Sequence, residues 1–159
     1  MKRALVIAVV GGSTCTAEEA RQAEAVGRAL AESGAVLLCG GGQGVMEAAC
    51  RGATGGGGMT IGLLPGGHLD EGNSYLTVAI PTGLGEVRNA LVARAGRAMI
   101  AIGGGYGTLS EIALGLRMGR TVIGLGTWTA VAPGGEPADI VLARSPDEAV
   151  RLALREAGG

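Results

Sequence analysis

Residues 99–111 read Met99-Ile100-Ala101-Ile102-Gly103-Gly104-Gly105-Tyr106-Gly107-Thr108-Leu109-Ser110-Glu111, and this stretch decides the fold. Met99 to Ile102 form a short apolar run that reads as a buried strand, and the chain then drops through glycines into an apolar-periodic helix. The order is strand, glycine turn, helix. A helix N-terminus offers unpaired N–H groups and a partial positive charge, and glycines let an anion reach those donors without Cβ interference. Gly103 to Thr108 are therefore candidate phosphate-binding residues.

The same pattern recurs upstream. Ala4 to Val10 is a continuous apolar run, as expected of a parallel strand covered on both faces, and Gly11, Gly12 and Ser13 follow it. Thr16 and Glu19 have capping-box spacing, and Ala17 to Glu32 carries Ala20, Ala23, Val26, Ala29 and Leu30 at helical intervals up to the stop at Ser33-Gly34. A second strand, Ala35 to Cys39, runs into Gly40, Gly41 and Gly42, and after Gly44 a helix starts at Val45 and Met46 and reaches about Ala53. Gly55 to Gly58 is a turn, Met59 to Leu64 a third strand, Pro65 to Ser74 a polar loop, and Tyr75 to Ile80 a fourth strand or edge segment.

Gly85 to Arg97 reads as the helix that leads into the central strand. Beyond the helix ending near Gly119 come a strand at Thr121 to Leu125, an irregular stretch from Gly126 to Pro137, and a last strand at Ala138 to Ala143. Ser145, with Pro146 at the first helical position, opens the final helix. Strands alternating with helices predict an α/β fold, a doubly wound and mainly parallel sheet with helices on both faces, as one domain over residues 1–159. The turns at Gly11, Gly40 and Gly103 all follow strand carboxyl ends, so they can face one crevice.

Composition removes several functions. No apolar run approaches the ~20 residues of a membrane span, and Met1-Lys2-Arg3 before Ala4 to Val10 imitates a signal peptide but flows into a glycine turn and a polar helix. A net charge of −1, with two Tyr, one Trp and no Phe, argues against a DNA or RNA surface. Cys15, Cys39 and Cys50 have no metal-site or CxxC spacing and read as reduced thiols in a cytoplasmic protein. Lys2 is the only lysine and His68 the only histidine. That removes a Walker lysine, a Schiff-base lysine and a histidine-rich metal site, and a Ser/His/Asp triad would have to use His68 in a glycine-rich loop.

Spacing leaves two roles open for Glu111. Thr108-x-x-Glu111 is a capping-box pattern like Thr16-x-x-Glu19 and Ser145-x-x-Glu148, so the carboxylate either bonds back to a backbone N–H or faces a ligand. Arg88 likewise reads as a solvated helix charge or a site residue. None of the glycine turns is a full GxGxxG, since Val45 and Thr108 stand where the third glycine would be.

The run Gly104-Gly105-Tyr106-Gly107-Thr108-Leu109-Ser110-Glu111 resembles the PGGxGTxxE signature of the LOG-like cytokinin riboside 5′-monophosphate phosphoribohydrolases, a group that includes molybdenum-cofactor carrier proteins. Gly40-Gly41-x-x-Gly44-Val45-Met46 is similar to that family's earlier glycine turn, and Arg88 stands where the family carries its arginine. The resemblance implies a Rossmann-like homodimer that needs no cofactor and holds a nucleoside monophosphate or similar phosphorylated ligand. Gly12, Ser13, Gly40, Gly41, Gly44, Met46 and Gly103 to Thr108 would bind it. It also implies that Glu111 and Arg88 act in cleaving the N-glycosidic bond, or that the chain carries a phosphorylated cofactor in the same crevice without catalysis.

Three departures stand out. Gly103 replaces the signature proline, which would affect loop stiffness only; Asn89 replaces a lysine; and Glu86-Val87 replaces a histidine-glutamate pair. The last two remove substrate contacts and move the chain toward the carrier-like branch.

Overall fold

The computed structural model describes residues 3–158. Seven strands form one sheet in the order β4-β3-β2-β1-β5-β6-β7, every neighbouring pair parallel. The strands are β1 (Val6–Gly11), β2 (Val36–Cys39), β3 (Thr60–Leu64), β4 (Val78–Pro81), β5 (Ala98–Ile102), β6 (Thr121–Leu125) and β7 (Ile140–Leu142). The helices are α1 (Ala17–Glu32), α2 (Val45–Gly55), α3 (Arg88–Ala95), α4 (Tyr106–Arg117) and α5 (Pro146–Ala157).

Alternation along β1 separates the two cores. Ile7 and Val9 pack with α1, α2 and α5, whereas Ala8 and Val10 pack with Val92 and Ala93 of α3 and Ile112 of α4. Both faces of the central strands are covered, which is why they read as unbroken apolar runs. The strand order reverses between β1 and β5, the place where open α/β sheets leave a crevice beyond the carboxyl ends. The turns after β1 and β5 flank that crevice.

Several boundaries differ from the sequence expectation for local reasons. Gly85, at φ +57°, permits only a short 3-10 turn (Gly85–Val87) before α3, and extended Gly96 ends that helix before Arg97. The predicted strand from Tyr75 begins at Val78, because Tyr75 and Thr77 are occupied in bonds to Thr60. The first strand starts at Val6 instead of Ala4 and runs on to Gly11, α2 extends past Ala53 to Gly55, and the last strand shrinks to Ile140–Leu142. The Thr16–Glu19 capping box forms in full, with Glu19 Oε2 accepting from Thr16 N at 2.8 Å.

Helices α1 and α2 touch backbone to backbone. A Cβ on Gly27 would run into the carbonyl of Ala49, and one on Gly52 into the carbonyl of Glu24. Intrinsic propensity alone would make Gly52→Ala stabilising by about 1 kcal/mol. Backbone carbonyls cannot swing aside as a side chain can, so we expect Gly52→Ala to destabilise by about 2–3 kcal/mol, measured by urea unfolding. A neutral or stabilised variant would mean that the two helices lie further apart.

Candidate functional site

A cleft of about 410 Å³ opens at the reversal of strand order. Gly11, Gly12, Ser13 and Thr14 line it after β1, Met46 from α2, Pro65 after β3, Glu86, Arg88 and Asn89 around the start of α3, and Gly105, Gly107, Thr108 and Glu111 on the turn into α4. It therefore gathers residues from five separate segments of the chain.

The turn into α4 leaves backbone donors uncapped. Gly105 is the N-cap, with no side chain capping the helix, and the first intrahelical bond runs from Leu109 N to Gly105 O at 3.1 Å. The N–H groups of Tyr106, Gly107 and Thr108 are thus free of partners among the described residues, as the first turn of an uncapped helix leaves them. Beyond its chain neighbours and its own helix backbone, a Cβ on Gly105 or Gly107 would meet no atom of the described residues within 4 Å. Neither glycine is demanded by packing, and both keep the space before those donors clear.

Glu111 lies on the buried stripe of α4 with Thr108, Ile112 and Gly115. The helix begins at Tyr106, two residues before Thr108, so Thr108 and Glu111 are both inside it and the capping-box alternative for Glu111 is not realised. The side chain is only 7% exposed, at the wall of the cleft. Burial lifts its carboxyl from the usual 4.5 to about 7, and the Arg88 cation pulls the other way without cancelling the effect.

Arg88 is the first residue of α3 and is not a solvated charge. Its Nη1 donates to the Gly40 carbonyl and, at 2.8 Å, to the Leu63 carbonyl, while its buried Nε has no partner among the described residues. The guanidinium thus ties the carboxyl ends of β2 and β3 together and sets a fixed positive charge toward Glu111. A Cβ on Gly40 would collide with Nη1.

The remaining sequence candidates divide. Gly12, Ser13, Met46, Gly105, Gly107 and Thr108 line the cleft, whereas Gly103, Gly104, Tyr106, Gly40, Gly41 and Gly44 stand outside its lining. Gly40 makes room for Arg88, Gly41 packs on Leu64 and Leu76, and Gly44, at φ +65°, lies against Gly12 and Ser13. Tyr106 is 82% exposed and its ring stands 5.7 Å from that of Trp128. His68 is exposed, as a loop residue should be, and neither Cys15 nor Cys39 lines the cleft. Cys39 is buried 3.6 Å from the Cys50 sulfur, and that contact together with burial pushes its thiol up.

Gly103 takes φ +52° and Gly104 φ +100°. Proline is held near −65°, so the missing signature proline alters the backbone path of the loop and not its stiffness alone. The Glu19 carboxylate occupies the place where a Cβ on Gly103 would lie. Thr127 and Trp128, in the irregular stretch from Gly126 to Pro137, hold this loop and carry no motif in the sequence. Thr127 Oγ1 donates to Gly103 O at 2.6 Å, and Trp128 Nε1 lies 3.0 Å from Gly104 O and 3.1 Å from Gly105 O. The only available signal was a lone tryptophan in a chain almost without aromatics.

A family model described as the SLOG cluster4 family matches residues 4–150. This chain belongs to the SLOG cluster4 family. Among solved structures, a molybdenum cofactor binding protein of Rippkaea orientalis is 33% identical with a TM-score of 0.84, covering 96% of both chains. The molybdenum cofactor carrier protein of Chlamydomonas reinhardtii is 29% identical with a TM-score of 0.84, covering 99% of this chain and 100% of its own. A probable cytokinin riboside 5′-monophosphate phosphoribohydrolase of Oryza sativa subsp. japonica is 37% identical over 111 residues, which span 67% of this chain and 45% of the rice protein. The SLOG assignment and these relatives bear out the LOG-like and carrier-like resemblance read from the glycine signature, and the parallel seven-stranded sheet bears out the α/β expectation. No described helix is long and apolar enough to cross a membrane.

Proposed function

We propose that this SLOG protein binds a nucleoside 5′-monophosphate in the β1/β5 crevice and hydrolyses its N-glycosidic bond to free base and ribose 5-phosphate. The phosphate is held by the free N–H groups at the start of α4, and the ribose lies between Arg88 and Glu111. The observation that carries the reading is Glu111: a buried carboxyl brought to about 7, at the cleft wall, one helical turn from the anion-binding turn. A carboxyl poised near neutrality can take a proton from water during attack and then release it.

In the hydrolysis, the water oxygen bonds to C1′ as the C1′–N bond breaks. The bond electrons leave with the base nitrogen, which takes a proton from solvent. Positive charge grows on the ribose ring as the base departs, and the ionised Glu111 carboxylate stabilises it.

Likeness over nearly the full chain to a cofactor carrier favours a second reading, in which the same crevice holds a phosphorylated cofactor such as molybdenum cofactor without chemistry. Incubation with AMP, N6-substituted AMP and other nucleoside monophosphates, followed by chromatography, separates the two. Released base supports the hydrolase. Thermal stabilisation by nucleotide or pterin with no base released supports the carrier.

A homodimer is part of the proposal. Leu84, Val87, Leu91 and Tyr106 are 47%, 68%, 42% and 82% exposed around the start of α3 and α4, whereas Ile112 belongs to the core. Sedimentation equilibrium is expected to give twice the chain mass, and Leu91→Glu to shift it toward the monomer. A wild-type monomer would contradict the dimer.

A further inference from the structure

We infer that Thr127 and Trp128 are positioning residues that aim the Gly104, Gly105 and Tyr106 amides, the last of which is the first donor of the anion-binding turn. The inference rests on the phosphate reading above and adds to it the device that aims the donors. Thr127 Oγ1 donates to the carbonyl of Gly103, and Trp128 Nε1 is shared between the carbonyls of Gly104 and Gly105. These are three consecutive peptide units. Each unit is planar and trans, so its N–H points away from its C=O. Fixing the carbonyls of Gly103, Gly104 and Gly105 on one side therefore turns the N–H groups of Gly104, Gly105 and Tyr106 to the other.

The loop needs such a device. Gly103 and Gly104 both take positive φ, and with no side chain their peptide planes are free to flip at small cost. No side chain caps α4, and the helix itself holds only the Gly105 carbonyl, which accepts from Leu109 N, so the Gly103 and Gly104 units depend on the clamp. Hydrogen bonds to the carbonyls also polarise the same peptide units and strengthen their N–H groups as donors. Tyr106 leans on Trp128 at 5.7 Å and so ties the first residue of α4 to the same clamp. Both clamp residues directly follow β6 and Gly126, so the neighbouring strand of the sheet sets their position.

The test uses ribose 5-phosphate as the probe, with affinity measured by calorimetry. Thr127→Val removes the hydroxyl at nearly constant volume, and Trp128→Phe removes the N–H while keeping a ring against Tyr106. Each is expected to weaken binding about five- to tenfold, the effect of losing about one hydrogen bond's worth of orientation. Thr127→Ser, which keeps the donor, is expected to recover most of the affinity. A purely structural role would lower the melting temperature without this pattern of loss and recovery.

Amide spectra of the unliganded proteins supply a readout that needs no ligand. The Gly104, Gly105 and Tyr106 resonances should shift or broaden in Thr127→Val and Trp128→Phe, and return in Thr127→Ser. Binding by the wild type with unchanged affinity in both variants would overturn the positioning role. Failure of the wild type to bind ribose 5-phosphate would instead remove the phosphate reading. The clamp then stands or falls on the amide spectra, and unmoved resonances would overturn it.

Discussion

Glu111→Gln should abolish base release from nucleoside monophosphates while leaving their binding nearly intact. Glutamine keeps the shape of the carboxyl but neither accepts a proton from water nor carries a charge to oppose the one growing on the ribose. The expected fall in turnover is about 10²- to 10⁴-fold. The same substitution changes the dependence of stability on pH. In the folded protein the carboxyl holds its proton up to about 7, in the unfolded chain only to about 4.5. Between those values the folded state binds more protons, so stability is greatest below the window, falls as pH rises through it, and is flat above. The whole shift corresponds to roughly 3 kcal/mol. Urea unfolding at pH 5 and pH 8 should show the wild type losing stability relative to Glu111→Gln. Parallel profiles would mean that Glu111 is solvated.

Arg88→Met should reduce both folding stability and activity. Nη1 bonds two strand-end carbonyls, those of Gly40 and Leu63, and hydrogen bonds from a charged group contribute about 1.5–3 kcal/mol each. Some of that returns through water and through relief of the unpartnered Nε, so we expect a net loss on the order of 3 kcal/mol by urea unfolding. Arg88 also holds the Glu111 carboxyl down against the effect of burial. Without it that carboxyl titrates above about 7, and the acidic limb of any residual activity should move to higher pH. An unmoved limb together with unchanged stability would place the guanidinium in solvent.

Much of the fold was legible because the central strands are buried on both faces. Ile7 to Val10 and Ala98 to Ile102 are unbroken apolar runs, and each ends in a glycine turn at the crevice. The capping box at Thr16 and Glu19 marked the start of α1 correctly, since side chain and backbone there satisfy each other locally. Identical spacing at Thr108 and Glu111 did not mark a cap. Whether a carboxyl reaches back to an N–H depends on where the helix begins, and Gly105 starts α4 early enough to bury both residues.

Arg88 was legible as a candidate only through resemblance. Its tie to Gly40 and Leu63 spans 48 and 25 residues of sequence, and no local pattern encodes it. Trp128 was illegible for the same reason, standing 24 and 23 residues from the carbonyls it bonds. Its segment carries no period because its contacts run to a turn on the neighbouring strand. Gly40, Gly41 and Gly44, which look like ligand-binding glycines in sequence, are also required by close packing against Arg88, Leu64 and the turn after β1.

The most direct test of nucleotide hydrolysis in this crevice is a crystal structure of Glu111→Gln with AMP, a variant that would hold the substrate without cleaving it. The phosphate oxygens are expected within hydrogen-bonding distance of the Tyr106, Gly107 and Thr108 amides. C1′ is expected beside residue 111, with Arg88 on the other side of the ribose. A phosphate bound elsewhere, or a nucleotide whose C1′ lies out of reach of residue 111, would contradict it.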